Sequence, residues 1–147
     1  NDKKGLDDKS ALVLGSGGAS QAVIAALKDL GFEVTVASRN PKDGMKNYSE
    51  LNPEDDYSLI VNTTPVGMSP KIDESPLTDL RWFRSDRTYV DIIYTPKMTK
   101  FLKLAEDAGG KIVTGDQMFL WQAVAQAKMF TGRDDVPVEV MEQVLAC

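Results

Sequence analysis

Apolar residues recur along this chain with two kinds of spacing, and the two kinds alternate. Short unbroken apolar runs, typical of strands that are covered on both faces, are separated by stretches with helical three- and four-residue spacing. The predicted strands are residues 11–14, 33–37, 58–62, 88–93 and 111–113. The predicted helices are residues 19–30, 99–108, 116–131 and 138–145. This alternation predicts an α/β fold, doubly wound, with a mostly parallel sheet and helices on both faces.

One connection departs from the alternation. Only residues 39–44 separate the second predicted strand from a candidate short strand near residues 46–48. A parallel crossover needs a dozen or more residues, so the usual crossover helix is predicted to be shortened or missing. Further along, Thr99 is suited to cap the helix that follows it, and Pro96 favours an extended entry to that helix.

The first strand runs through a glycine-rich turn directly into the first helix. Gly15, Gly17 and Gly18 leave the backbone bare where the helix begins, and such a helix N-terminus can accept a pyrophosphate. The pattern is typical of a Rossmann-like dinucleotide-binding unit, although Ser20 stands where that fingerprint has Gly or Ala. A tight turn without a ligand is the alternative interpretation.

The end of the second strand indicates which dinucleotide is bound. Ser38, Arg39 and Asn40 stand about twenty residues after the glycines, where folds of this kind recognise the adenosine ribose. An acid there would bind the 2′-hydroxyl of NAD, whereas the planar cationic fork of Arg39 suits a 2′-phosphate. The sequence therefore predicts NADP. An arginine that is merely solvated at a strand end is the alternative.

Composition narrows the function classes. The 147 residues, 42% of them apolar, are enough for one domain with a single core, and no stretch is long enough to span a membrane. The net charge of −5 argues against a nucleic-acid partner. A single cysteine, Cys147, favours a reducing, cytoplasmic setting, and the absence of histidine excludes a Ser/His/Asp triad and most zinc sites, so no metal is expected. Because the first residue is Asn, we expect a piece of a longer protein.

The second half of the chain carries a more specific resemblance. Its motifs are 62–68 (NTTPVGM), 91–96 (DIIYTP) followed by Thr99, 115–122 (GDQMFLWQ) and 131–132 (TG). Together with the glycine turn and the Arg39 segment, they occur in the order and approximate spacing of shikimate dehydrogenases. The chain resembles the C-terminal, NADP-binding domain of that family, over essentially residues 1–147.

The resemblance implies site residues position by position. The implied cofactor contacts are Gly15, Ser16, Gly17, Gly18, Ala19, Ser38, Arg39, Asn40, Lys42, Asn62, Thr63, Ile92, Gly115 and Met118. The implied shikimate contacts are Tyr94 and Gln122. The family often has a second basic residue where this chain has Asp43, with Lys42 beside it.

Two of these residues, and Asp91 of the motif 91–96, can also be interpreted from their residue type. Gln122 lies within an apolar helical stripe and needs a hydrogen-bond partner, which is either a ligand hydroxyl or water at the edge of the stripe. Tyr94, after a strand, either contacts the ligand or packs with its hydroxyl in water. Asp91 is interpreted as structural, accepting backbone N–H groups of the following turn.

The function implied is reversible hydride transfer between NADPH and 3-dehydroshikimate in aromatic amino-acid biosynthesis. In the resembled family the proton donor is a Lys and Asp pair on an N-terminal substrate domain, so no catalytic residue is expected in this chain, which shares its small-molecule substrate with that missing domain. A quinate-oxidising relative and a stand-alone, non-catalytic NADP-binding module remain as alternatives. Without that domain, the apolar stripe of residues 138–145 is expected to dock on a second copy or to fray.

Overall fold

A computed structural model describes residues 9–42, 44–93 and 95–116. Five strands and two α-helices follow one another in these residues. They are β1 (Ser10–Leu14), α1 (Gly18–Asp29), β2 (Glu33–Ala37), β3 (Leu59–Asn62), β4 (Thr88–Asp91), α2 (Lys100–Asp107) and β5 (Lys111–Val113). The strands form one sheet in the order β2-β1-β3-β4-β5, and each pairing of neighbours is parallel. The predicted α/β class and parallel sheet are confirmed.

The two helices cover opposite faces of the sheet. Because successive residues of a strand point to opposite faces, each strand contributes to two cores. On one face α1 packs through Val23 and Leu27 against Ala11, Val13, Leu59 and Val61. On the other face α2 packs through Phe101, Leu102 and Ala105 against Leu12, Leu14, Ile60 and Tyr89. This double coverage explains why the strands are apolar without alternation.

The connection between β2 and β3 is irregular, as predicted. Residues 38–42 and 44–58 contain no α-helix, and their helical segment is the single 3₁₀ turn Tyr48–Glu50, which Asn47 caps. The short strand predicted near residues 46–48 is wrong, because only one parallel bridge, between Ala37 and Lys46, forms there. The Asn47 side chain and Glu50 make a capping box, and this local bonding replaces strand pairing.

The start of α2 and the end of β4 are each set by one side chain. Thr99 caps α2, and its Oγ1 accepts the backbone N–H of Leu102 at 3.3 Å. The strand predicted over residues 88–93 ends instead at Asp91, whose side chain accepts the backbone N–H of Ile93 and turns the chain. The helices predicted at 116–131 and 138–145 lie outside the described residues, apart from residue 116 itself. No helix in the described ranges has the length and apolar character needed to cross a membrane.

The strand order creates a crevice at the carboxyl ends of β1 and β3. The chain leaves β1 for β2 on one side and returns to β3 on the other side. In open parallel sheets, ligands bind at such a reversal of strand order.

At the opposite, amino edge, a buried arginine holds two loops together. Arg87 is 2% exposed and donates to the backbone carbonyls of Tyr57, Trp82 and Pro53 at 2.9 to 3.1 Å, and also to that of Asp55. Burial lowers the pKa of Arg87 below its usual value.

Candidate cofactor-binding site

Gly15 brings the end of β1 against the end of β3. Its φ of +109° is one that side chains with a Cβ rarely adopt, and a Cβ there would lie 2.5 Å from Thr63 Oγ1. Its backbone N–H donates to the carbonyl of Ala37 at 2.8 Å. Thr63 Oγ1 itself donates to the carbonyl of Leu14 at 2.6 Å. Glycine is therefore required at position 15 by close packing.

Gly17 and Gly18, unlike Gly15, are not surrounded by closely packed atoms. A Cβ at either position would meet no atom within 4 Å, so both face open space. Gly17 is the N-cap of α1, no side chain caps this helix, and its first turn, which includes exposed Ala19, contains no acidic residue. The first amides of a helix have no partner within the helix, so this end of α1 can hold an anion.

Ser20, which departs from the dinucleotide-binding fingerprint, faces away from this open space. It is 1% exposed, and its Oγ donates to the carbonyl of Gly17 at 2.6 Å. The third position of the fingerprint serves close packing between helix and strand. A serine whose hydroxyl is satisfied inside the loop fulfils that need, so the departure leaves the open space at Gly17 and Gly18 unobstructed.

The segment after β2 places cations beside the glycine turn. Arg39, Asn40 and Lys42 are exposed, and the side chains of Arg39 and Lys42 make no hydrogen bond or ion pair to the described residues. Burial raises the pKa of Tyr48, and the positive charge of Arg39 opposes this rise. Ser38 is buried, and its Oγ lies 3.0 Å from Ser16 Oγ. The glycine turn and the cationic segment thus form one continuous surface.

A cavity of about 350 Å³ opens at the ends of β3 and β4. It is lined by Thr63, Thr64, Pro65, Met68, Ile92, Ile93 and Thr95. Gly115 packs behind its wall, since a Cβ there would lie 2.5 Å from the Ile93 carbonyl oxygen and 2.7 Å from that of Ile92. The predicted residues Thr63, Ile92 and Gly115 are thus brought together around a largely apolar space.

Asn62, a predicted cofactor-binding residue, is enclosed at the end of β3 by polar partners from the protein. Asn62 has no exposed surface. Its Oδ1 accepts the backbone N–H and the hydroxyl of Thr64, at 3.0 and 2.6 Å, and its Nδ2 donates to Asp91 and to the Val66 carbonyl. A strand-end asparagine whose polar atoms are satisfied by the protein shapes the cavity turn and leaves no side-chain atom for a ligand.

Asp91 links the two strand ends to α2. It has no exposed surface, and its carboxylate accepts hydrogen bonds from Asn62 Nδ2, the Ile93 amide and Thr99 Oγ1 at 3.3, 3.0 and 2.8 Å. Burial raises the pKa of Asp91 to about 6, against the opposing effect of these three donors. The structural interpretation of Asp91 is confirmed, and its bonds to the side chains of Asn62 and Thr99 show two further partners that sequence alone did not indicate.

The predicted site residues thus fall into two groups. Those from the glycine turn and the Arg39 segment form one exposed surface, and Asn62, Thr63, Ile92 and Gly115 line or support the cavity. Tyr94, Met118 and Gln122 lie outside the described residues, as does Asp43. Sequence reasoning did not single out five cavity-lining residues: Thr64, Pro65, Met68, Ile93 and Thr95. All five stand within the motifs 62–68 and 91–96.

Comparisons with known proteins agree with this arrangement. Residues 117–146 match the model of the shikimate 5′-dehydrogenase C-terminal domain. A shikimate dehydrogenase (NADP(+)) of Nostoc sp. is 38% identical over 164 aligned residues, which cover 97% of this chain and 57% of the relative.

Two solved structures are also similar. A chorismate mutase/shikimate 5-dehydrogenase fusion protein from Clostridium acetobutylicum has a TM-score of 0.69 and 35% identity, over 95% of this chain and 56% of that one. Shikimate 5-dehydrogenase from Thermus thermophilus, in complex with NADP(H) and shikimate, has a TM-score of 0.67 and 33% identity, over 92% and 54%. The chain spans about half the length of these relatives. In sequence and in fold, the chain is thus similar over nearly its whole length to about half of each of these members of the shikimate dehydrogenase family.

Proposed function

We propose that this chain is the NADP-binding half of a shikimate dehydrogenase, an oxidoreductase that interconverts 3-dehydroshikimate and shikimate. The observation that carries the proposal is the arrangement at the carboxyl edge of the sheet. An uncapped helix N-terminus, exposed cations without a partner among the described residues and an apolar cavity follow one another along that edge. These three features suit the pyrophosphate, the 2′-phosphate and the nicotinamide of one NADP molecule.

The residues present fit each part of the cofactor. The open space at Gly17 and Gly18 allows a pyrophosphate to approach the first amides of α1. Arg39 and Lys42 are the proposed partners of the 2′-phosphate. Thr63, Ile92 and Gly115 hold the wall against which the nicotinamide is proposed to lie, together with Met118. When bound, NADPH supplies the hydride.

Two side chains at the strand ends that could take part in proton transfer are already engaged by the protein. The Thr63 hydroxyl donates to the Leu14 carbonyl, and the Asp91 carboxylate is fully enclosed by three donors. We therefore place the proton donor on a substrate domain outside these 147 residues, as the family resemblance implies. Tyr94 and Gln122 stay the proposed contacts of this chain with the shared substrate.

The setting and assembly of the protein are part of the same proposal. An enzyme that uses NADPH works where this cofactor is kept reduced, so we propose a cytoplasmic location. The negative net charge argues against nucleic acid as a partner. Self-association through residues 138–145 stays a prediction, which light scattering over a concentration series can test.

Calorimetric titration of the 147-residue chain with NADP+ and NAD+ tests the cofactor assignment. We expect NADP+ to bind at least tenfold more tightly, because a charge-assisted phosphate contact contributes about 1.5 to 3 kcal/mol. Equal affinities, or no binding of NADP+, would refute the proposal.

An activity assay tests the division of labour. We expect no shikimate-dependent reduction of NADP+ by residues 1–147 alone, and we expect this activity from the full-length protein that contains them. Turnover by the chain alone would show that the proton donor lies within it, whereas an inactive full-length protein would favour a non-catalytic NADP-binding module.

A further inference from the structure

Two serine hydroxyls join the glycine turn to the end of β2. Ser16 Oγ lies 3.0 Å from Ser38 Oγ, and these residues are 22 positions apart in the sequence. The backbone N–H of Asn40 donates to Ser38 Oγ at 3.2 Å. Neither hydroxyl has a further hydrogen-bond partner among residues 9–42, 44–93 and 95–116. The pair thus stands between the end of α1 and the Arg39 segment.

One of the two hydroxyl protons in this pair has no acceptor among the described residues. A serine hydroxyl has one proton and two acceptor lone pairs. One of the two protons lies between the oxygens, and the other has no acceptor within the described residues. Ser38 is 6% exposed, whereas Ser16 is partly exposed. Because an unpaired buried donor is costly, the favoured arrangement has Ser38 donating to Ser16, and Ser16 keeps the unused proton.

In this arrangement three donors point in one direction. The Asn40 amide donates to Ser38, Ser38 donates to Ser16, and Ser16 can donate to a ligand. Each bond in such a series polarises the next, so the Ser16 hydroxyl is a stronger donor than an isolated serine. An anionic acceptor gains most from it, because hydrogen bonds to charged groups are roughly twice as strong as neutral ones.

We propose that Ser16 is a specificity-determining residue that donates to the 2′-phosphate of NADP, and that Ser38 is the positioning residue behind it. The inference rests on the proposed function, since it assigns a contact within the NADP site. Arg39 supplies a charge that attracts any nearby anion, whereas the Ser16 hydroxyl is fixed in place by the serine pair. The two contacts are therefore complementary.

The test compares NADP+ and NAD+ binding by calorimetry in single variants of the 147-residue chain. Ser16→Ala should weaken NADP+ binding about tenfold and NAD+ binding less than about twofold. Ser16→Thr keeps the hydroxyl and should retain most of the NADP+ affinity. Ser38→Ala removes the middle of the series and should weaken NADP+ binding about threefold.

Ser58→Ala is the matched control. Ser58 is also buried, but it lies at the amino edge of the sheet, where its hydroxyl donates to the Ser10 carbonyl at 3.1 Å. This variant should lower thermal stability and leave the affinity ratio of the two cofactors unchanged. Unchanged NADP+ affinity in Ser16→Ala, or an equal loss for both cofactors, would overturn the role of Ser16 and leave the NADP assignment standing. Failure of the unaltered chain to bind NADP+ would overturn both.

Discussion

The two edges of the sheet each carry an arginine, and the arginines differ in what surrounds them. At the amino edge, Arg87 is enclosed, and its guanidinium donates to backbone carbonyls of the loops before β3 and β4. At the carboxyl edge, Arg39 is exposed, and its guanidinium has no hydrogen-bond or ion-pair partner among the described residues. The same residue type thus stabilises the fold at the amino edge and is available to a ligand at the carboxyl edge.

This contrast extends to the backbone. The loops at the amino edge direct their carbonyls inward onto Arg87, so their polar groups are satisfied by the protein. At the carboxyl edge, the first amides of α1 face open space at Gly17 and Gly18. Hydrogen-bond donors that have an acceptor within the protein stabilise the fold, whereas donors without one are available to bind other molecules. Substitutions at the two edges should therefore separate stability from cofactor affinity.

Arg87→Ala should produce the largest loss of stability. The substitution leaves several buried carbonyls without a donor, and each costs about 1 to 3 kcal/mol, so we expect the free energy of unfolding to fall by about 4 kcal/mol. Chemical denaturation monitored by circular dichroism measures this change. Arg81→Ala is the control, since Arg81 is an exposed arginine paired with exposed Asp79, and it should have little effect. Similar effects of the two substitutions would contradict the role of Arg87.

Asp91 should make stability depend on pH in an unusual direction. Its pKa of about 6 in the folded chain exceeds the usual aspartate value, so the folded state binds more protons than the unfolded state between about pH 4 and pH 6. The contribution of Asp91 is therefore most favourable below this window and declines as pH rises through it, by about 3 kcal/mol.

Denaturation at several pH values, on the unaltered chain and on Asp91→Asn, isolates this contribution. The isosteric variant cannot ionise at position 91, so the difference between the two curves should change between about pH 4 and pH 6 and stay constant above about pH 7. Asp73→Asn, at an exposed carboxylate, provides the comparison. A pH-independent difference for Asp91→Asn would show that burial does not dominate its titration.

Gly15→Ala and Gly17→Ala should have opposite consequences. Alanine at position 15 would be strained by the positive φ and would collide with Thr63, so unfolding should become easier by about 2 kcal/mol. Alanine at position 17 meets no protein atom, and the backbone there is extended, so stability should change little while NADP+ affinity falls. Thermal melts with calorimetry distinguish the two. If Gly17→Ala bound NADP+ normally, the open space would not be the phosphate cradle.

Arg39→Ala should have the smallest energetic effect and the most selective one. Loss of one exposed charge-assisted contact should weaken NADP+ binding about tenfold and leave NAD+ binding and the free energy of unfolding nearly unchanged. Arg84→Ala is a useful control, because this arginine pairs with Asp86 near the amino edge. An equal loss for NADP+ and NAD+ would argue that Arg39 does not recognise the 2′-phosphate.

The sequence by itself determined the features that depend on neighbours along the chain. The spacing of apolar residues predicted the α/β alternation because a helix and a buried strand each repeat within a few residues. The shortened crossover after β2 followed from its length, and Thr99 was predicted as the cap of α2 from residue type and position alone. The glycine turn after β1 was visible for the same local reason.

Only the tertiary structure decided which residues meet across the sheet. The collision that requires glycine at position 15 involves Thr63, at the end of another strand. Arg87 is buried because loops distant in sequence supply its carbonyl acceptors, and Asn62 meets Asp91 from the end of another strand. The Ser16 and Ser38 pair likewise forms because parallel pairing aligns β1 with β2. Such contacts depend on strand order and register, which local sequence patterns do not predict.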